Sequence, residues 1–338
     1  MTAQILDQLP LARLRFDLET LADSDVPPYK GDMLRMALLW WLSEFWCPEP
    51  TRCRHGCRRP DVCMFGRLCS PPVDPAWSAK IRYLVGDTPP PAYALWDLRD
   101  RRTHFAAGTT WSFELTLIGE LALRQIPAIV AAVQQGAEQG LGRIRLRNRV
   151  LQVLALTPGL DDAAARRVLA DRDSQPELTW RSYRLEEIML DYAALREHRP
   201  PETNLASLVL RFLSPVKIKE RGTWVKEPRF AALFKALVRR LRILSEVHGG
   251  GEWPHADYGP LLDSAEGIAL THHETYWTGY ERRSRRSGRY DVEGFVGEAW
   301  YAGPDLPRLL PVLWLGQWLH LGKGYVSGNG RYAVQLIA

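Results

Sequence analysis

Residues 204–251, NLASLVLRFLSPVKIKERGTWVKEPRFAALFKALVRRLRILSEVHGGG, hold the pattern from which the fold follows. Up to Lys219 the run is rich in apolar and β-forming residues and predicts a strand with a bend at Pro215. From Arg229 to His248 the period changes. Phe230, Leu233, Phe234, Leu237, Leu241 and Leu244 step by three and four, which is one face of a helix. Lys235, Arg239 and Arg242 fall away from that stripe, and the glycines of HGGG stop the helix. Strand-like IALTHHETYW and DVEGFVGEAWYAG come next. A helix, PRLLPVLWLGQWLHL, leads into a loop with Gly322, Gly324, Gly328 and Gly330, and RYAVQLI closes as a strand. The order is βαββαβ.

The amino-terminal half says the same thing. ARLRFDLET alternates as a strand does, and KGDMLRMALLWWLSEFW reads as a helix. After a Cys-rich insert, PAYALWDLRD and TTWSFELTLIGE read as strands. A helix runs from Leu121 to about Gln139, and GRIRLRNRVLQVLAL closes the half as a strand. The fold class predicted is α+β, two tandem ferredoxin-like units. One domain is expected over 1–160 with an insert at 47–70, and a second over 202–338. The polar stretch 161–201, ending in Arg199, Pro200 and Pro201, is read as their connection. One larger α+β domain is the alternative.

Composition fits such a protein. With 338 residues, 46% of them hydrophobic, the chain can build a substantial core. Thirteen tryptophans are more than a core absorbs, so some are expected at a surface or interface. The longest apolar runs, ALLWWLSEFW and LLPVLWLGQWLHL, are too short to span a bilayer. The start has no basic leader, so a cytoplasmic, reducing location is expected and the five cysteines read as thiols or metal ligands. Cys47, Cys53, Cys57, Cys63 and Cys69 stand within one short segment with His55 among them. Four thiolates would suit a tetrahedral zinc ion that staples an insert lacking its own core; an iron–sulfur cluster and a loop of free thiols are the alternatives.

A net charge of +5 favours an acidic partner, and its location says more. Arg143, Arg145, Arg147 and Arg149 alternate, which on a strand puts all four on one face. In ERRSRRSGRY, Arg282, Arg283, Arg285, Arg286 and Arg289 lie among Trp277, Tyr280 and Tyr290. Arginines mixed with aromatic rings are the composition of surfaces that hold single-stranded nucleic acid. The terminal glycine loop carries Lys323, with Arg331 just after it, and predicts a pliable main chain lying along a polyanion. Its order of helix, loop, strand is the reverse of a nucleoside-triphosphate P-loop, and no Walker motif occurs. A nucleotide-hydrolysing enzyme is therefore disfavoured.

GFVGEAWYAG followed by LPVLWLGQWLHLGKGYVSGNGRY resembles the end of the CRISPR-associated endoribonucleases that process precursor crRNA, members of the RAMP superfamily. LVLRFLSPVKIKERG with EPRFAALFKALVRRLRILSEVHGGG resembles the opening of that family's second domain. TTWSFELTLIGE with GLGRIRLRNRVLQVL resembles the end of its first. CPEPTRCRHGCRRPDVCMFGRLC is similar to an insert of one branch, which implies Cys47, Cys53, Cys57 and Cys63 as the matched set and Cys69 as an extra thiol.

The resemblance implies two ferredoxin-like domains and metal-independent cleavage of CRISPR repeat RNA, so no cofactor is expected for catalysis, and a structural zinc at the cysteines is the metal expected from their own pattern. In that reaction the 2′-hydroxyl attacks the adjacent phosphate. The products are a 2′,3′-cyclic phosphate and a 5′-hydroxyl. Members often carry a catalytic histidine on or near the first helix, and KGDMLRMALLWWLSEFW has none. Arg35 is the polar residue of its first turns; His55 and His104 are the nearest histidines. These three are the catalytic candidates. His272, His273 and His320 read as structural. The RNA-binding candidates are Arg143, Arg145, Arg147, Arg282, Arg283, Arg285, Arg286, Gly322, Lys323, Gly324, Gly328 and Gly330. The partners implied are CRISPR repeat RNA or crRNA and a larger CRISPR effector complex. A module that binds the repeat with little chemistry is the alternative.

Overall fold

The structure is a computed structural model and describes residues 9–47, 63–71, 89–142, 144–156, 166–171, 206–249, 259–284 and 288–337, with side chains throughout except at 166–171 and 282–291. The chain divides into two compact units, 2–186 with 243–253, and 187–242 with 254–338.

The first unit is built on one antiparallel sheet. Its strands are β1 (Leu11–Thr20), β3 (Tyr93–Trp96), β5 (Thr110–Ile118), β6 (Asn148–Leu156) and β7 (Arg166–Asp171), in the order β3-β5-β1-β6-β7. A second, two-stranded pairing joins β2 (Ser24–Asp25) to β4 (His104–Phe105). On β1, Leu14, Phe16, Leu18 and Thr20 are buried while Arg15, Asp17 and Glu19 stay half-exposed, the period of two that a one-faced sheet requires. Phe16 stacks on Phe113 of β5 at 4.9 Å. The helices α1 (Gly31–Trp46) and α4 (Ile126–Gln139) pack on each other. A short turn of helix, α3 (Glu120–Leu123), precedes α4. Gly136 marks the crossing: a Cβ there would lie 2.1 Å from the ring of Trp41. A small helix, α2 (Met64–Cys69), packs against α1.

The second unit repeats the plan. Its strands are β8 (Ser207–Val216), β11 (Ala269–His273), β12 (Tyr276–Ser284), β13 (Gly288–Ala302) and β14 (Tyr332–Leu336). The order is β11-β13-β8-β14, and β12 also pairs with β13. The helices are α5 (Phe230–His248), α6 (Gly259–Glu266) and α7 (Leu306–Leu319). The six apolar residues predicted for α5 are all buried, and Lys235 and Arg239 are exposed. In both units the strands of the βαββαβ repeat stand in spatial order four, one, three, two, all pairs antiparallel. That is the tandem ferredoxin-like fold. No described helix is long and apolar enough to cross a membrane.

Three expectations change. Arg145, Arg147 and Arg149 do not share a strand face, because β6 begins only at Asn148, and Arg143 lies outside the described residues. Before it, Leu141 bridges back to Leu146 in a tight turn, with Arg145 at φ 49°. The strand expected up to Lys219 ends at Val216. Residues 219–224 form their own hairpin, β9 (Lys219–Glu220) and β10 (Thr223–Trp224). Arg221 and Gly222 both have positive φ, as a two-residue hairpin turn requires. Finally, part of the stretch read as a connection supplies β7, which pairs with β6 and extends the first sheet.

Candidate nucleic-acid interface

The glycine loop begins where α7 stops. His320 turns the chain at φ 61° and is buried, its Nδ1 3.0 Å from the carbonyl oxygen of Asn329. Leu321 N–H donates to the Gly330 carbonyl at 2.7 Å, so the loop closes on itself. It is then tied to β8: Gly330 N–H donates to Pro215 O at 3.0 Å, and Lys323 N–H to Lys217 O, also at 3.0 Å. A 3-10 turn, Tyr325–Ser327, forms the inner part, flanked by Gly324 and Gly328 in the left-handed conformation. Glycine is required at two places above all. A Cβ on Gly330 would meet Leu321 O at 2.0 Å, and one on Gly322 would meet Lys217 O at 2.6 Å. The pliable segment expected from the sequence is thus a fixed one, hydrogen-bonded along much of its length. The glycines serve close backbone approach.

Arg240 of α5 secures the base of the loop. Its Nε donates to the Leu319 carbonyl at 2.7 Å, which satisfies a C-terminal helix acceptor, and its guanidinium lies 3.5 Å over the Tyr325 ring. Burial lowers the Arg240 pKa from the ordinary arginine value, against the opposing influence of Tyr325.

The exposed part of the loop is Lys323, and it is not isolated. The ammonium groups of Lys217, Lys219 and Lys323 lie 4.5, 4.5 and 5.1 Å from the ring centre of Trp224. Lys217 pairs with Glu293 of β13 at 3.1 Å. Among the described residues, Lys219 and Lys323 have no carboxylate partner. Two residues past Trp224, the Lys226 ammonium sits 3.5 Å from the centre of the Trp277 ring. Two cations with no counter-charge among the described residues, held beside one indole, can bind phosphate.

The catalytic candidates lie in the first unit. Arg35 is half-buried on α1, and its Nε is buried with no hydrogen-bond partner among the described residues. His104 is exposed on β4, with Nδ1 3.0 Å from an Asp25 carboxylate oxygen. The structure ties the segment leading to His104 to the start of the Arg35 helix. The link is Lys30, whose side chain is fully buried. Its Nζ donates to Asp100 O and Arg102 O, both at 2.8 Å, with the Asp100 carboxylate at 3.5 Å. Burial lowers the Lys30 pKa, while Asp100 and Asp97 oppose the shift. Arg101 bonds Asp97 at 3.0 Å and stacks over Tyr29. An imidazole beside a carboxylate can take up or release a proton, and a half-buried guanidinium can stabilise negative charge on a phosphate.

Arg145 and Arg147 stand at the turn before β6, where Arg147 Nε donates to Glu138 O at 3.1 Å. Arg282 and Arg283 lie on β12 opposite β13, in a part of the hairpin whose side chains are not described. His55, Arg143, Arg285, Arg286, Cys53 and Cys57 fall outside the described residues. Cys47 caps the end of α1 and Cys63 the start of α2; both are free thiols. Among the described residues, no three His, Cys, Asp or Glu side chains are grouped as for a metal ion. His272 and His273 are both exposed on β11, where a register shift follows Leu270. Sequence reasoning missed Lys30, Lys217, Lys219 and Trp224. The signal for the last three was Arg221–Gly222 between short flanks, the mark of a hairpin turn.

Family models match both halves. Residues 9–179 match AF_1859_N, described as an N-terminal domain, and residues 210–332 match CRISPR-associated endoribonuclease Cas6. No curated protein matches. Among solved structures, a chain of a partial Cas6-RT-Cas1–Cas2 complex superposes with a TM-score of 0.57 at 14% identity, over 97% of this chain. This protein spans 46% of that chain. A Cas6 product complex gives 0.55 at 15% identity, covering 96% of this chain and 99% of that one. Thermus thermophilus Cas6 gives 0.50 at 12% identity, covering 96% and 98%. At such identities the likeness is one of fold. The fold and the two family matches, the first spanning half the chain, agree with each other: this protein is a CRISPR Cas6-like protein, with an AF_1859_N domain in its amino half and a Cas6 endoribonuclease domain in its carboxyl half.

Proposed function

We propose that the protein is an endoribonuclease that cuts CRISPR repeat RNA to mature crRNA without a metal ion. The observation that carries the proposal is the hydrogen-bonded glycine loop, within the Cas6-matching residues, which sets Lys323 beside Lys219 with no carboxylate among the described residues to neutralise either. The 2′-hydroxyl loses its proton and its oxygen attacks the adjacent phosphorus. The 5′-oxygen leaves and gains a proton, giving a 2′,3′-cyclic phosphate and a 5′-hydroxyl. His104, oriented by Asp25, is the candidate proton acceptor, and Arg35 the candidate for holding charge on the phosphate. His55 is the candidate for the second proton transfer. Arg143, Arg145, Arg147, Arg282, Arg283, Arg285 and Arg286 are assigned to RNA phosphates. The endoribonuclease family match supports RNA as a partner, and the Cas6-RT-Cas1–Cas2 neighbour supports a larger CRISPR assembly; a cytoplasmic location belongs to the same proposal.

The test is labelled repeat RNA with the protein in EDTA. Cleavage that stops when the 2′-hydroxyl at the cut is replaced by hydrogen supports the proposal. The absence of histidine on α1 favours a second reading, a repeat-binding module, and tight binding with the RNA left intact would establish that instead. If the arginines of the β12–β13 hairpin contact phosphates, replacing Arg283 and Arg286 by alanine flattens the dependence of affinity on salt; an unchanged slope removes them from the interface.

A structural zinc held by Cys47, Cys53, Cys57 and Cys63 is part of the proposal. Cys47 stands at the end of α1 and Cys63 at the start of α2, and these two helices pack together. Elemental analysis giving less than about half an equivalent of zinc per chain would remove it.

A further inference from the structure

We infer that the β9–β10 hairpin and Lys323 form a platform for one unpaired ribonucleotide, its base stacked on Trp224 and its flanking phosphates held by Lys219 and Lys323. The inference rests on RNA being the ligand and adds which part of it binds here.

Two separate segments send three ammonium groups to one indole: Lys217 and Lys219 from the stretch that runs from β8 into β9, and Lys323 from the glycine loop. Each lies within 5.1 Å of the same ring centre, so no two are more than about 10 Å apart, close to the range over which salt screens charge. Among the described residues only Lys217 has a carboxylate partner, Glu293. Cations with no counter-charge repel unless the backbone holds them together, and here it does. Gly322 packs on Lys217 O, Lys323 N–H donates to that oxygen, and the tight turn at Arg221 and Gly222 returns Trp224 beside Lys219.

Attraction between lysine and indole accounts for part of the arrangement, roughly 0.5–1 kcal/mol per cation at an exposed site. A ring has two faces, however, and three cations share this one. A polyanion satisfies the excess. The ring decides which kind: a paired base offers its faces to its neighbours in the helix, while an unpaired base can leave the stack and lie on an indole. An A-form duplex would use the lysines and leave Trp224 idle. Lys226 over Trp277 repeats the cation–ring pairing two residues on and would extend the track along the strand.

The test is fluorescence anisotropy with an unpaired 10-nucleotide RNA and a blunt RNA duplex of equal charge, across a salt series. Trp224→Ala should weaken binding of the unpaired RNA about 5- to 100-fold, leave its salt slope unchanged and leave duplex affinity within about twofold; Trp224→Phe should restore most of the loss. Lys219→Ala, on the exposed hairpin, should lower the slope for unpaired RNA by about 0.7 and serves even if Trp224→Ala does not fold. Unchanged affinity in Trp224→Ala, an equal loss with duplex, or an unchanged slope in Lys219→Ala overturns the inference. Wild type that binds unpaired RNA but leaves CRISPR repeats uncut refutes the nuclease and keeps the platform. Wild type that cuts, with Trp224→Ala binding normally, does the reverse.

Discussion

The two connections that lead from the second helix of each repeat to its last strand, 140–147 and 320–331, occupy the same place in the topology and solve it differently. The first is short. Gly140 leaves α4 at φ 109°, Leu141 bridges to Leu146, and Arg145 takes a positive φ. The second is longer and leans on the sheet, accepting no side chain where it crosses the carbonyls of Leu321 and Lys217. Both put cations at the turn, arginines in one and Lys323 in the other. The contrast teaches that glycines mark where a loop's backbone meets other backbone: Gly140 does so against Arg145 in the first turn, and Gly322 and Gly330 do so against Lys217 and Leu321 in the second.

The largest test of that contrast is Gly330→Ala. With φ at 77° and a Cβ placed on the Leu321 carbonyl, it should destabilise by about 4 kcal/mol or more and abolish RNA affinity, read by thermal melting and binding. Gly142→Ala, at φ 64° and facing only the flexible Met33 side chain, should cost about 1 kcal/mol and leave RNA affinity within twofold. Equal losses would refute the distinction.

The sheets differ in the same instructive way. Each central strand gives an arginine to a glutamate on the strand beside it, Arg13 to Glu114 in one unit and Arg211 to Glu298 in the other. The first pair is buried; in the second, Arg211 is half exposed. Glu114→Gln should cost about 3 kcal/mol in denaturant unfolding, because it leaves Arg13 charged and buried. Glu298→Gln should cost less than about 1 kcal/mol. A large loss at Glu298 would refute the distinction between the two pairs.

The smallest effect is in acid. Burial alone would raise the Asp17 pKa, but hydrogen bonds from Ser112, Arg15 and Gln152, with the Arg15 charge, bring it below the usual value. A depressed carboxyl stabilises the fold above its unfolded pKa near 3.8, and that stabilisation disappears as pH falls through the folded pKa. Asp17→Asn should therefore flatten the loss of stability below about pH 4, as followed by urea midpoints; an unchanged profile would show that the network contributes nothing.

Much of this was legible from residues alone. The step of three and four in α5, the alternation in β1 and the doubled βαββαβ order are periodicities, and burial enforces them locally. The arginine stretch before β6 was not legible, because a bridge between Leu141 and Leu146 overrode an alternation that fits a strand equally well. The 219–224 hairpin was hidden behind Pro215, where an apolar run continued past the end of the strand.

The sequence by itself determined the two repeats, their order of elements and a terminal loop of glycines among cations, since pattern and period are properties of the chain. Only the tertiary structure decided that this loop is hydrogen-bonded to itself and to the end of β8, that Lys30 is buried as a tie between α1 and the segment leading to His104, and that three lysines meet at Trp224. Those facts depend on segments far apart in the chain meeting in space, and on hydrogen bonds and charges that exist only once they meet.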